Sequence, residues 1–366
     1  MRILTRTLLW SAALFALLWA TILVSAAIGP VRIDIPTVAR ATLNTVAVPT
    51  GLGVETTSAG IGSFRAGVPV PDVQYSTLFA FDVTPSDQAI VGELRLPRIA
   101  LAALVGFSLA TAGAVMQGFF RNPMADPSII GVSSGAAVGA VATIVFPLTI
   151  PFGLQTAAFV GGVVTAFAVY LIATENGRTP VATLLLAGVA IQAFLGAVIS
   201  YMLLRAGESL EEAILWLMGH LRNSQWSEVE ATLPIVVGLF FLLAAYSRDM
   251  NVLLLGEEDA HALGIEVERT KQLLLAGSAI ITAAAVAVAG VIGFVGLIVP
   301  HMMRLLVGPD HRILLPTSAL AGATFLVLAD TLARSGPAIV PVGIVTAAVG
   351  APFFLFLLRR REVHEL

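Results

Sequence analysis

The stretch from Leu94 to Gly135, LRLPRIALAALVGFSLATAGAVMQGFFRNPMADPSIIGVSSG, constrains the fold of this chain more than any other. Twenty mostly apolar residues, Ile99 to Gly118, stand between Arg95 and Arg98 on one side and the turn Arg121-Asn122-Pro123-Met124-Ala125-Asp126-Pro127 on the other. At about 1.5 Å per residue, a helix of that length covers the roughly 30 Å hydrocarbon core of a bilayer. The arginines mark one membrane face, and the two prolines, which remove backbone donors, break the helix at the other. The pattern points to transport rather than covalent chemistry.

The rest of the sequence has the same character. Hydrophobic residues make up 57% of the 366 and charged residues 12%. The mean hydropathy of +0.93 is too high for a soluble domain of this size and predicts a polytopic membrane protein. A net charge of -3, with basic residues scattered through short loops, excludes a nucleic-acid partner. The chain has no cysteine, which removes disulfides, thiol catalysis and thiolate-ligated metals. Lys271 is the only lysine beside 19 arginines, a bias from which no function follows. There is no phosphate loop, no H-E-x-x-H and no G-x-S-x-G, and the five histidines (His220, His261, His301, His311, His364) are dispersed. The chain is therefore expected not to be an enzyme and to bind no cofactor itself.

Apolar runs against charged breaks predict an all-α bundle of about ten spans, near 8–29, 99–119, 128–149, 153–173, 183–204, 231–247, 271–290, 291–306, 313–333 and 341–358. The seventh and eighth are hard to separate because Gly290, Gly293 and Gly296 interrupt one apolar stretch. The run from Leu8 to Ile28 is longer than a signal-peptide core, so residues 1–29 are expected to be a retained first span. Arg2 and Arg6 at one end and Arg359, Arg360 and Arg361 at the other place both termini in the cytoplasm. Residues 30–93, rich in Thr, Val, Pro and Gly, then form a long, partly ordered external excursion. The loop 205–227 carries Glu208, Glu211 and Glu212 before an apolar run, which predicts an interfacial amphipathic helix anchored by Trp216 and Trp226. Gly131, Gly135 and Gly139, four residues apart, predict a close helix contact in the third span.

Polar groups at membrane depth are expensive and mark function. Gln117, Arg121 and Asn122 meet the break at Pro123 and Pro127, where a polar helix stop and a gate are both consistent with the residues. Asp330 and Arg334, four residues apart, predict an exposed local ion pair worth about 0.3–0.5 kcal/mol. With Arg95 and Arg98 at the same face, Arg334 completes a cluster of guanidinium groups suited either to a partner's carboxylates or to membrane anchoring. On the other side, residues 248–271 mix Glu257, Glu258 and Asp259 with Leu253-Leu254-Leu255 and a Gly264 break, predicting two short helices that fit a groove on another protein. Residues 301–312 are expected to be a short inner loop. A channel or secondary transporter would need a buried acidic or histidine relay, which most spans lack.

From about Glu93 to Leu358 the chain resembles the permease subunits of the iron-siderophore, haem and vitamin B12 importers of the ATP-binding-cassette (ABC) class. The resemblance rests on L-R-L-P-R at 94–98, R-N-P-M-A-D-P at 121–127, G-V-S-S-G-A at 131–136, L-L-L-A-G-V-A at 184–190, N-V-L-L-L-G-E-E-D-A-H-A-L-G at 251–264, G-V-I-G-F-V-G-L-I-V-P-H at 290–301, and P-V-G-I-V-T-A-A-V-G-A-P at 341–352. The last third is most similar to the vitamin B12 members. The resemblance implies a permease in the cell membrane, a homodimer with two separate ATPase subunits that bind ATP and Mg, and an external substrate-binding protein. Arg95, Arg98 and Arg334 fall where the family docks its binding protein, and Glu257, Glu258, Ala260, His261, Leu263 and Gly264 where it couples to the ATPase. Asn122 and Met124 match one cytoplasmic gate position and Val181 and Ala182 the other. At the second gate the chain departs from the vitamin B12 members, which carry small hydroxyl residues there; an apolar plug would close by dewetting.

Overall fold

The computed structural model describes residues 3–61, 64–146, 153–336 and 338–359. Arg2, Arg360 and Arg361, on which part of the expected orientation rests, lie outside the described residues. In chain order the helices are α1 (Ile3–Ala27), α2 (Ile35–Asn44), α3 (Pro85–Ala89), α4 (Leu96–Phe119), α5 (Val132–Val145), α6 (Gly153–Ala173), α7 (Val181–Leu204) and α8 (Leu210–Leu217), continuing with α9 (Trp226–Ala245), α10 (Ser247–Leu253), α11 (Glu257–Ala262), α12 (Val267–Ala289), α13 (Val295–Val307), α14 (His311–Ala333) and α15 (Val342–Arg359). Each predicted span falls on one of these helices. Seven are long and apolar enough to cross a bilayer, α3 and α4 counting as one; α5, α13 and α15 are shorter apolar helices.

The bundle is layered by burial. Helices α4, α12 and α14 are largely buried, whereas α1, α7 and α9 expose most of their apolar side chains, the distribution expected where the outer solvent is lipid. Small residues set the inner contacts. Gly106 of α4 meets Gly322 of α14 and Gly113 meets Gly296 of α13, in each case backbone against backbone. Gly135 and Gly139 seat α5 on Gly161 and Ala157 of α6 as predicted, but Gly131 stands before the helix in left-handed conformation, with φ 80°. Between α12 and α13 residues 290–294 are non-helical, and the break closes on Phe294, a non-glycine residue at φ 69°.

Within residues 30–93 the described chain forms α2, a strand pair and α3. After α2, strands β1 (Ala47–Ile61) and β2 (Phe64–Thr77) pair antiparallel, with Ala47 opposite Thr77 and Ile61 opposite Phe64. Asn44 staples the base of this hairpin: its side chain accepts from Phe81 N at 2.8 Å and donates to Phe81 O at 3.0 Å. The hairpin and the C-terminus of α1 share one end of the bundle, here the hairpin end. Arg6 reaches Val307 O at 3.1 Å at the opposite end.

Two local expectations are corrected. Trp216 is 4% exposed and packs with Ala136, Ala137 and Ala140, so it is a buried contact of α8 rather than an interfacial anchor, while Leu210, Glu211, Glu212 and Ile214 of that helix are exposed. Trp226 is exposed at its ring but donates Nε1 to Gly92 O at 2.9 Å. Residues 301–312 are not a loop: His301 and Arg304 lie buried on α13, and His311 opens α14. Polar side chains in a bundle can face one another, which hydropathy along the chain does not register.

Candidate functional site

At the hairpin end the three predicted arginines converge, but inwards. Arg98 forks onto Asp330, Nε to Oδ1 at 3.0 Å and Nη2 to Oδ1 at 2.7 Å, while Arg334 Nε lies 3.3 Å from Oδ2 of the same carboxylate. Asp330 is fully buried. The pair expected to be exposed is therefore an interior one, with a larger energetic consequence. Arg334 also donates to Ile28 O at 2.7 Å and Ser25 O at 2.6 Å, and Arg95 donates to Ala26 O and Val31 O. Ser25 O and Ala26 O are among the carbonyls that the C-terminus of α1 leaves without intrahelical partners, Ile28 and Val31 follow the helix, and cationic donors suit that end of the dipole. Burial lowers the Arg334 guanidinium from its ordinary value, and the Asp330 carboxylate opposes that shift. In this conformation the cluster fastens α1 to α4 and α14.

In the middle of the bundle Gln117, fully buried, donates Nε2 to Leu297 O at 2.9 Å in the first turn of α13. Beside it Asp126 accepts from Ser128 N at 2.8 Å, fixing the short turn Pro127–Ile130. A cavity of about 40 Å³ lies between Asp126, Ser128, Ser133, Thr282 and Gly293, room enough for about one water molecule.

At the opposite end residues 248–271 hold two short helices, α10 and α11, as predicted, before α12 begins. Glu257, Glu258, His261, Leu263 and Gly264 are exposed, with Leu263 at 64% and Leu255 at 63%. Two large apolar side chains beside acidic groups outside the apolar spans form a surface suited to a protein groove. Ala260 is completely buried and holds α11 to the bundle, so it presents nothing outward. Gly264 turns the chain at φ 86°, a conformation that L side chains rarely adopt.

Val181, the first residue of α7, lines an opening of about 400 Å³ together with Phe119, Phe120, Arg121, Glu257 and Glu258. The structure thus brings one predicted gate position next to α11. Asn122 and Met124 do not line this opening; Asn122 Oδ1 accepts from Met124 N at 2.9 Å and shapes the turn. Ala182 is exposed.

Sequence reasoning missed the polar link between α10 and α14. Asn251 Oδ1 accepts from His311 N at 2.9 Å, and Asn251 Nδ2 donates to Asp310 Oδ1 at 2.8 Å. Hydrogen bonding from Arg312, aided by Asn251, holds the Asp310 carboxyl well below the usual carboxylate range. A depressed folded-state pKa gives stability that is fully present above the unfolded value, about 3.9, and is lost as pH falls through the folded one. The Asp310→Asn variant is therefore expected to melt below the wild type at neutral pH, with the difference shrinking only below about pH 4. Melting curves of both proteins across that range check this, and a difference that disappears near neutrality would contradict it.

Residues 17–360 match the FecCD transport family. The cobalamin import system permease protein BtuC of Halobacterium salinarum is 58% identical over 363 residues, 99% of this chain and 98% of that one. The hemin transport system permease protein HmuU of Yersinia pestis is 44% identical over 278 residues, 74% of this chain and 83% of that one. The solved structure of a transporter classed with the metal-chelate ABC type, in an inward-facing conformation, superposes with a TM-score of 0.76 at 29% identity, covering 96% of this chain and 98% of that one.

Proposed function

The chain belongs to the FecCD transport family and is a multi-pass permease of the cell membrane, of ABC-importer type, and from that premise we propose that its cargo is cobalamin. The observation that carries the cargo is the 58% identity to a cobalamin import permease over 99% of the chain. In this reading two copies enclose the path, two ATPase subunits that bind ATP and Mg engage the cytoplasmic end, and a substrate-binding protein delivers cargo at the hairpin end. The bilayer surrounds the outer helices. The exposed Leu255, Glu257, Glu258, His261 and Leu263 support α11 as the ATPase contact. Val181 and Ala182, with Asn122 and Met124, form the gate on the same side, and ATP-driven closure of the ATPases would shift the balance between its states.

Uptake of labelled cobalamin, with labelled ferric siderophore in parallel, in cells with and without the gene tests the cargo at limiting substrate. Loss of cobalamin uptake alone is expected. Loss of siderophore uptake alone would keep the family and discard the vitamin. Haem has independent support in the 44% identity to a hemin permease, and loss of neither uptake would direct attention there.

Gly264→Val tests the coupling assignment. No atom lies within 4 Å of a Cβ at this position, so the substitution acts through the backbone at φ 86° rather than through a clash. It is expected to lower transport per ATP hydrolysed in the reconstituted importer while the bundle stays folded. An unchanged ratio would remove the segment from the mechanism.

A further inference from the structure

The one lysine of the chain has no task in the scheme above. Lys271, in the second turn of α12, is 4% exposed. Its Nζ donates to Thr179 O at 2.9 Å and pairs with Glu268 Oε1 and Glu257 Oε1, each at 3.1 Å. The ammonium is thereby held by one carbonyl and two carboxylates. Glu268 closes the arrangement, because its other oxygen accepts from Thr179 N at 3.2 Å. One cation thus joins α11, the first turns of α12 and the connection between α6 and α7.

That connection is stiff. Glu175 and Arg178 exchange backbone hydrogen bonds at 2.9 and 3.0 Å across Asn176 and Gly177, whose φ values are 50° and 75°. Two consecutive positive φ angles are the signature of a tight two-residue turn. Thr174 and Thr179 brace it with a side-chain hydrogen bond at 3.0 Å. Thr179 stands two residues before Val181, with only Pro180, which N-caps α7, between them.

We propose that Lys271 is a positioning residue that ties α11 to the 174–180 turn, so that a displacement of α11 is carried through Thr179 to Val181. The inference rests on the reading of α11 as the ATPase contact and of Val181 as a gate residue. A flexible connection would absorb such a displacement; a turn locked at both ends of a buried ion pair passes it on. A lysine serving only as a structural pin would stabilise the same three elements without making Val181 respond to nucleotide.

The absence of cysteine gives the test a clean background. Val181→Cys introduces one thiol, and its labelling rate with a membrane-impermeant maleimide is measured in the full reconstituted importer, with and without ATP and vanadate. With Lys271 in place, nucleotide is expected to change the rate severalfold. In the Lys271→Met background that change should be lost while vanadate still traps nucleotide on the ATPase, and Lys271→Arg should restore part of it. Should Lys271→Met fail to assemble, Glu257→Ala, at a half-exposed side chain, removes the α11 end of the same link and should give the same loss while vanadate still traps nucleotide. A nucleotide response that persists in the Met and Ala backgrounds overturns the proposal and leaves the gate reading standing. No response even in the Lys271 parent overturns both.

Discussion

Replacing Asp330 by alanine is expected to cost this protein about 3–5 kcal/mol, the range for removing one partner of a buried ion pair. The carboxylate is fully buried and takes the fork of Arg98 on one side and Arg334 on the other. Its loss strands two cations, and only Arg334 keeps bonds elsewhere, to Ile28 O and Ser25 O. Against a total stability of about 5–15 kcal/mol, the variant should accumulate poorly and melt far below the wild type. Asp330→Asn, which keeps the shape and one acceptor, should fall between them. An unchanged melting temperature for Asp330→Ala would show that the arginines are free in solution. Arg98→Ala separates fastening from docking: a structural role lowers the melting temperature, whereas a docking role weakens capture of the binding protein at constant stability.

The second large effect is expected at Gly113. A Cβ there would sit 2.7 Å from Gly296 Cα and 2.6 Å from Gly296 C, and backbone cannot swing aside as a side chain can. Gly113→Val should therefore force α4 away from the break before α13, disturb the Gln117 bond to Leu297 O, and yield little folded protein. Gly196 and Gly238 provide the contrast, since no atom lies within 4 Å of a Cβ at either. Alanine at those helical positions should be neutral or stabilise by up to about 1 kcal/mol. Folded yield and melting temperature of the three variants decide the matter. A well-folded Gly113→Val protein would mean that the α4–α13 contact is looser than its geometry.

How much was legible beforehand follows from the range of the interactions involved. The spans, the break after Gly290 and the short helices α10 and α11 are local patterns of apolar runs, glycine and charge, and each lies where the sequence predicts. The arginine cluster was half legible. Hydropathy placed Arg95, Arg98 and Arg334 at one end, but Arg98 pairs with Asp330, 232 residues away, and Arg334 reaches Ile28 O just after α1, 306 residues away, and no local spacing reveals that. The same reason hid Gln117 against Leu297 and Lys271 against Thr179. His301 and Arg304 were misread as loop residues because charge along the chain is a poor guide to facing inside a bundle. The hairpin was missed because its strands are broken by glycine and proline, which favour turns when each strand is considered alone.

The base of that hairpin has a practical meaning. Val46 O accepts from Leu78 N at 2.9 Å, so the chain leaves and re-enters the bundle at a single hydrogen-bonded pair. Whatever lies between these two residues can be shortened, exchanged or enlarged while α2 and α3 stay joined through Asn44 and Gln88. The arm is thus a natural splice point, where a rigid fiducial domain can be grafted to image the permease.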